Sequence, residues 1–242
     1  MKTKPPSLLP ALLAYIIGAT LGLLLLGISA WADMEATFYG FDRLANAGLG
    51  GFQCPILMTR QETRSISLDI SNPTDRRISP SVRTQISTPA LPEQVTETFM
   101  LEPGESQRLE WAVGPGNIDL ERFIFAKTLL YSSHPLPSQE ATCGIFVLDL
   151  PGSGQVILPV LVALSILGMG WGLYRLNRLR FAIDLLARHL GSMIFMAFMI
   201  VAGLIVSFRG GWVPSLLILA VVILIIVIML GSLLLGGRRD RH

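Results

Sequence analysis

Four long apolar runs divide the chain, at roughly Leu8–Ala30, Val156–Tyr174, Phe181–Phe208 and Trp212–Gly236. At about 1.5 Å of helical rise per residue, each can cross a hydrocarbon core of about 30 Å, so the pattern predicts four transmembrane helices. Between the first two runs the period shortens. Ile66, Leu68 and Ile70 alternate with Ser65, Ser67, Asp69 and Ser71 until Asn72-Pro73-Thr74-Asp75 breaks the run. Val82, Thr84 and Ile86 share a face between Pro80 and Pro89, and Val95–Leu101 ends at the turn Glu102-Pro103-Gly104-Glu105. Leu109, Trp111 and Val113 alternate with Arg108, Glu110 and Ala112, and Phe123–Tyr131 and Gly144–Leu150 add two more apolar runs. Short alternating runs between turn residues predict about six or seven strands in an antiparallel β-sandwich. Only Met34–Ala47 suggests a short helix here, lying at the membrane surface. The expected fold class is therefore a membrane α+β protein, with the sandwich inserted between transmembrane helices 1 and 2. Its parts are residues 1–32 (N-terminal tail and helix 1), 33–53 (interfacial linker), 54–152 (sandwich) and 153–242 (helices 2–4).

Charge gives these helices a direction. Lys2 and Lys4, the loop Arg175-Leu-Asn-Arg178-Leu-Arg180, and the tail Arg238-Arg239-Asp240-Arg241-His242 are basic, whereas the turn between the third and fourth runs has only Arg209. Short segments rich in Lys and Arg stay in the cytoplasm, which predicts a multi-pass inner or plasma membrane protein with both termini inside. Residues 33–152 are then extracytoplasmic. Trp31, Trp171, Tyr174 and Trp212 stand near run ends, where amphipathic rings favour the interface. Ala30-Trp31-Ala32 imitates a signal-peptidase site, but the preceding apolar stretch exceeds a usual signal core and is expected to remain as an anchor.

Composition changes little. The 51% hydrophobic content and mean hydropathy of +0.57 follow from the spans. Most basic residues serve topology and the outer segment is mildly acidic, which argues against nucleic acid as a partner. Cys54 and Cys143 are the only cysteines, and both fall in the outer segment. Two thiols in an oxidising compartment are expected to pair, contributing on the order of 4 kcal/mol from chain entropy. A metal site would need a further soft or imidazole ligand, for which His134 is the only outer candidate.

The stretches ISLDISNPTDRRI and FMLEPGESQRLEWAV resemble the immunoglobulin-like modules common in prokaryotic surface proteins. Those modules pair a strand ending in Asn-Pro or Asn-Gly with a later Pro-Gly-Glu-Ser turn. The resemblance covers roughly residues 54–150 and lacks the intersheet Cys…Trp…Cys arrangement of antibody domains. It implies a binding or spacing element, hence a contact surface and no active centre.

The remaining signals concern packing. Ala14, Gly18 and Gly22 recur every four residues, and Gly168 and Gly172 repeat that spacing; such stripes let another helix approach closely. Asp184 and Arg188 are spaced to form an interfacial ion pair. His189 is the one residue of haem-ligand type near a span, but no second intramembrane His and no Cys-x-x-Cys-His motif accompany it. Met193, Met196 and Met199 read as adaptable packing. Gly48-Leu-Gly50-Gly51 lacks the helix that a phosphate loop needs. Charge-free span centres without paired repeats argue against a transporter.

The expected function is that of a non-catalytic accessory subunit of a multi-subunit membrane complex, with integral membrane subunits and lipid as partners and no cofactor. Respiratory and photosynthetic electron-transfer complexes are the commonest hosts for such subunits. The alternative is a free-standing envelope receptor, whose ligand would meet exposed aromatics among Phe99, Trp111, Phe123, Phe125 and Tyr131. An enzyme acting on a lipid or peptidoglycan precursor would need convergent groups such as Asp33, Glu35, Asp42 or His134, and their spacing does not recommend it.

Overall fold

The structure, a computed structural model, describes residues 8–40, 45, 47–131, 137–179 and 184–239; for residues 184–188 and 233–239 it describes the backbone alone. Four long helices are present, α1 (Leu8–Phe38), α2 (Gly154–Leu179), α3 (Asp184–Ser207) and α4 (Trp212–Arg239), and the strands lie between α1 and α2 in chain order. The chain forms two compact units, one of Met1–Ala30 with Pro159–His242 and the other of Trp31–Leu158.

In the helical unit, all four helices are long and apolar enough to cross a membrane. The small-residue stripes meet one another. A Cβ on Gly18 would lie 2.6 Å from the Met169 nitrogen and 2.7 Å from the Ser165 oxygen, both in the backbone of α2. A Cβ on Gly168 would lie 3.0 Å from the Ala14 oxygen and 3.2 Å from the Gly18 Cα, and one on Gly172 2.8 Å from the Ala11 oxygen. The Ser165 hydroxyl donates to the Gly18 carbonyl at 2.8 Å, a bond open only to backbones this close. The helix that approaches the α1 stripe is thus the chain's own α2. Gly22 faces Ser165 and Ile200, bringing α3 onto the same side, and the Tyr15 hydroxyl donates to the Met193 carbonyl of α3 at 2.8 Å. Burial is unequal: 39% of the most apolar window of α1 is covered, against 11% for α4, which leaves α4 mostly open to lipid or to a neighbour. At the end of α2, the Arg175 and Arg178 guanidiniums lie 5.5 and 4.7 Å from the Trp171 and Tyr174 ring centres, the arrangement of an interfacial belt.

The second unit holds β1 (Ala47–Gly48), β2 (Phe52–Gln53), β3 (Leu57–Thr59), β4 (Arg64–Ser71), β5 (Ser81–Ile86), β6 (Glu93–Thr98), β7 (Ser106–Val113), β8 (Phe123–Leu130) and β9 (Gln139–Leu148). One sheet runs β1-β9-β8-β5-β6 with β3 also on β9, and the other runs β2-β4-β7. Ile66, Leu68, Leu109 and Trp111 of the small sheet meet Val82, Ile124, Ala126 and Ile145 of the large one in a single core. The sheets are not wholly antiparallel as expected. β1 and β3 both run parallel to β9 on one edge of the large sheet, β1 before the chain crosses to the small sheet at β2 and β3 after it returns.

The two halves of the Asn-Pro and Pro-Gly-Glu-Ser pattern are neighbours in space. β4 and β7 pair along their whole length, so the ends that carry these turns adjoin. The Asn72 N–H donates to Glu105 O at 2.9 Å and the Gly104 N–H to Asn72 O at 3.0 Å, with Gly104 at φ +76. The buried Asn72 amide donates to the Arg76 and Leu101 carbonyls at 2.7 and 3.0 Å, and its oxygen accepts from the Thr74 hydroxyl at 2.6 Å. One side chain thereby satisfies two turns.

The surface helix expected over Met34–Ala47 is absent from the described residues. Met34–Phe38 is instead the last part of α1, because Ala32 and Ala36, both 0% exposed, pack that part of the helix onto the large sheet. Gly40, at φ +76, lies just beyond the helix end, and Ala47–Gly48 has already become β1.

The glycine seam gives a measurable contrast. Gly18→Ala and Gly172→Ala are expected to lower the unfolding temperature of the detergent-solubilised chain, at an overpacking cost of about 1–3 kcal/mol each. Gly170→Ala, with nothing within 4 Å of its added methyl, should be neutral or slightly stabilising. Equal melting of all three variants would contradict the packing.

Candidate functional site

The polar groups of the β unit collect along β9. β8 pairs with Gln139–Phe146 along its inner edge, but β1 covers only Gln139–Glu140 and β3 only Phe146–Leu148 of the other edge. Into this gap α1 lays its last turns. The Asp33 carboxylate, 8% exposed, accepts the Gly144 N–H at 3.0 Å. Residue 144 has to be glycine, since a Cβ there would lie 2.0 Å from the Ala32 oxygen. Further along, the Thr37 and Thr142 hydroxyls are 3.4 Å apart, and the Lys127 ammonium of β8 donates to the Thr37 carbonyl at 3.4 Å. A buried cation at the last carbonyls of a helix complements the negative end of its dipole. Around them Tyr39, Phe125, Phe123 and Phe146 form a chain of ring contacts with centroids 5.1 to 5.7 Å apart. β8 and the Cys143–Val147 part of β9 are therefore buried continuously, between the small sheet and the end of α1.

A second cluster fastens the start of α2. One Glu62 carboxylate oxygen accepts the Gly154 and Thr59 N–H groups at 2.8 and 3.1 Å, and the other accepts the Ser153 hydroxyl at 2.7 Å with Arg64 at 3.4 Å. Burial alone raises its pKa. The three donors and the Arg64 charge outweigh that and hold the carboxyl below its ordinary range. A carboxylate at the first N–H of a helix also meets the positive end of the dipole.

Cys54 and Cys143 form a disulfide with Cα atoms 6.5 Å apart, joining the segment after β2 to the middle of β9. Of the receptor candidates, Trp111 and Phe125 are 7% and 2% exposed, Phe99 packs against the core, and Tyr131 alone reaches 37%. Asp42 and His134 lie outside the described residues, as does the side-chain pairing expected of Asp184 and Arg188. Met193 and Met196 are buried in the helical unit. Among the described residues no three His, Cys, Asp or Glu side chains gather into a metal-sized cluster. An open depression of about 800 Å³ lies among Arg60, Pro89, Pro115, Ile118, Leu120 and Glu121. Sequence reasoning overlooked Glu62, Lys127 and Gly144, whose local patterns are those of an ordinary loop and ordinary strands, and considered Asp33 only as a group that an enzyme would need.

No protein family and no curated protein matches this sequence. Among solved structures, the chain is similar to a CARDB domain from Pyrococcus furiosus, solved in complex with di-metal ions, at TM-score 0.33 and 16% identity over 46% of this chain and 100% of that one. It is similar to beta-glucuronidase 2 of Bacteroides uniformis at TM-score 0.29 and 13% identity, over 36% of this chain and only 12% of that one. For Spo0M, a sporulation control protein from Bacillus subtilis, the TM-score is 0.26 and the identity 10%, over 45% and 51% of the two chains. None of these likenesses carries an activity to this chain.

Two outcomes follow from the fasteners. Asp33→Ala, which leaves the Gly144 N–H without its acceptor, is expected to destabilise the chain by about 1–3 kcal/mol, while Asp33→Asn retains most of the stability. Equal losses in thermal unfolding would contradict the assigned bond. For Glu62, the folded pKa lies below the unfolded one, so its contribution is full above the ordinary glutamate value and fades as pH falls through the folded value. The melting-temperature gap between the native chain and Glu62→Gln should accordingly be widest near neutrality and close in acid; a gap that is constant with pH would exclude this role.

Proposed function

We propose that this chain is a non-catalytic accessory subunit of a membrane complex, in which the helices anchor it and the β unit braces a partner on the outer face. The observation that carries this reading is how the polar groups are used. Asp33, Lys127 and Glu62, buried or half-buried, are each committed to fastening one stretch of backbone to another, as an architectural element requires. The sparsely covered α4 supplies apolar surface for neighbouring subunits or lipid. The disulfide supports an extracytoplasmic β unit, since paired cysteines persist in oxidising compartments, and the basic termini and loop support cytoplasmic ends. The host class, a respiratory or photosynthetic electron-transfer complex, rests on how often such complexes carry small helical subunits.

Purification of the tagged chain from its native membrane in mild detergent is expected to bring down integral membrane subunits in fixed stoichiometry, with haem, iron–sulfur or pigment absorption if the host is bioenergetic. Recovery of the chain alone and colourless would set the accessory reading aside.

A further inference from the structure

We infer that the end of the β unit from which α2 departs is itself a lipid-contacting surface, resting on the membrane interface through the tips of three loops. This rests on the reading that the four apolar helices span a membrane. The loops at that end are tied together: the Arg60 N–H donates to Leu148 O at 3.0 Å, the Val147 N–H to Arg122 O at 2.7 Å, and the Ser87 hydroxyl to Asn117 O at 2.6 Å. Their tips are apolar and uncovered. Leu91 is 80% exposed, Leu120 63% and Leu150 51%, and Pro89, Pro115 and Pro151 are exposed beside them. The turn bearing Leu120 is held in an unfavourable backbone: Leu120 and Glu121 have φ of 47 and 64, fixed by the Asp119 carboxylate on the Leu120 N–H at 2.7 Å and by the Asp119 carbonyl on the Phe123 N–H at 3.0 Å. Two consecutive non-glycine residues are thus held against their backbone preference, and the result is a leucine directed into solvent. The opposite end of the sheets differs. Its turns carry the exposed ion pairs Arg76–Asp75 and Arg77–Glu102, with Met100 and Tyr131 as the large apolar side chains exposed there.

The occupant follows from chain continuity. α2 begins at Gly154, so Leu150 stands at most about 14 Å of extended chain from the start of a helix able to cross a membrane. Val156, in the first turn of α2, is already 64% exposed. A domain tethered this closely keeps the end bearing its tether at headgroup depth. Exposed leucines and prolines there gain by entering the acyl boundary, while Arg60, Arg122 and Asp149 remain among the headgroups.

The test uses the full chain reconstituted in phosphatidylcholine vesicles. Its two native cysteines are paired, so Leu91→Cys, Leu120→Cys, Asp75→Cys and Ile228→Cys can each be labelled singly with an environment-sensitive dye. Emission from the Leu91 and Leu120 labels is expected to fall at least about twofold in vesicles of brominated lipid, as for Ile228 on α4, with the Asp75 label unchanged and quenched by aqueous iodide. Quenching at Ile228 with Leu91 and Leu120 open to iodide would overturn the inference and leave the membrane reading standing. Shielding of both labels from lipid and iodide alike would assign the surface to protein and overturn it too. An unquenched Ile228 label would remove the membrane reading and the inference with it.

Discussion

The β unit depends on satisfying the backbone of β9. A ten-residue strand buried over Cys143–Val147 cannot leave N–H groups there without partners, because each costs about as much as a lost hydrogen bond with its desolvation. β8 takes one edge. The other is divided among β1, the end of α1 and β3, with Asp33 supplying the acceptor where no strand reaches. Much of the unit follows from this division. The helix must continue past its apolar run to reach the gap, Gly144 must lack a side chain, and two strands must run parallel to β9.

The helical unit rests on a related constraint met differently. Where α1 and α2 touch, backbone meets backbone, and the contact exists only because positions 18, 168 and 172 lack side chains. The Ser165 and Tyr15 hydroxyls then bond to carbonyls already serving their own helices. In an apolar surrounding such contacts replace the hydrophobic drive that water provides elsewhere. The same small residues read in isolation pointed to a partner helix, whereas the helix they meet is the chain's own α2.

Charge in this protein works as fastening. Asp33, Lys127 and Glu62 each sit at a helix terminus or a strand edge, where a fixed charge meets backbone dipoles.

The sequence by itself determined the four apolar helices, the alternating strands around Ile66–Ile70 and Leu109–Val113, and the close-packing glycines. The helices are written in the length of their apolar runs, and the strands and glycines in local periods of two and four residues; both survive without knowledge of the fold. The pairing of Cys54 with Cys143 was legible from their being the only two cysteines. Only the tertiary structure decided what those surfaces meet. It selected α2 as the neighbour of α1, extended α1 to Phe38, turned β1 and β3 parallel to β9, and gave Asp33 and Glu62 their partners. These outcomes join residues about ninety or more positions apart, such as Asp33 with Gly144 and Glu62 with Gly154. Nothing in the local sequence around either member records the other, because the bond exists only once the sheet has formed and exposed a backbone edge to fill.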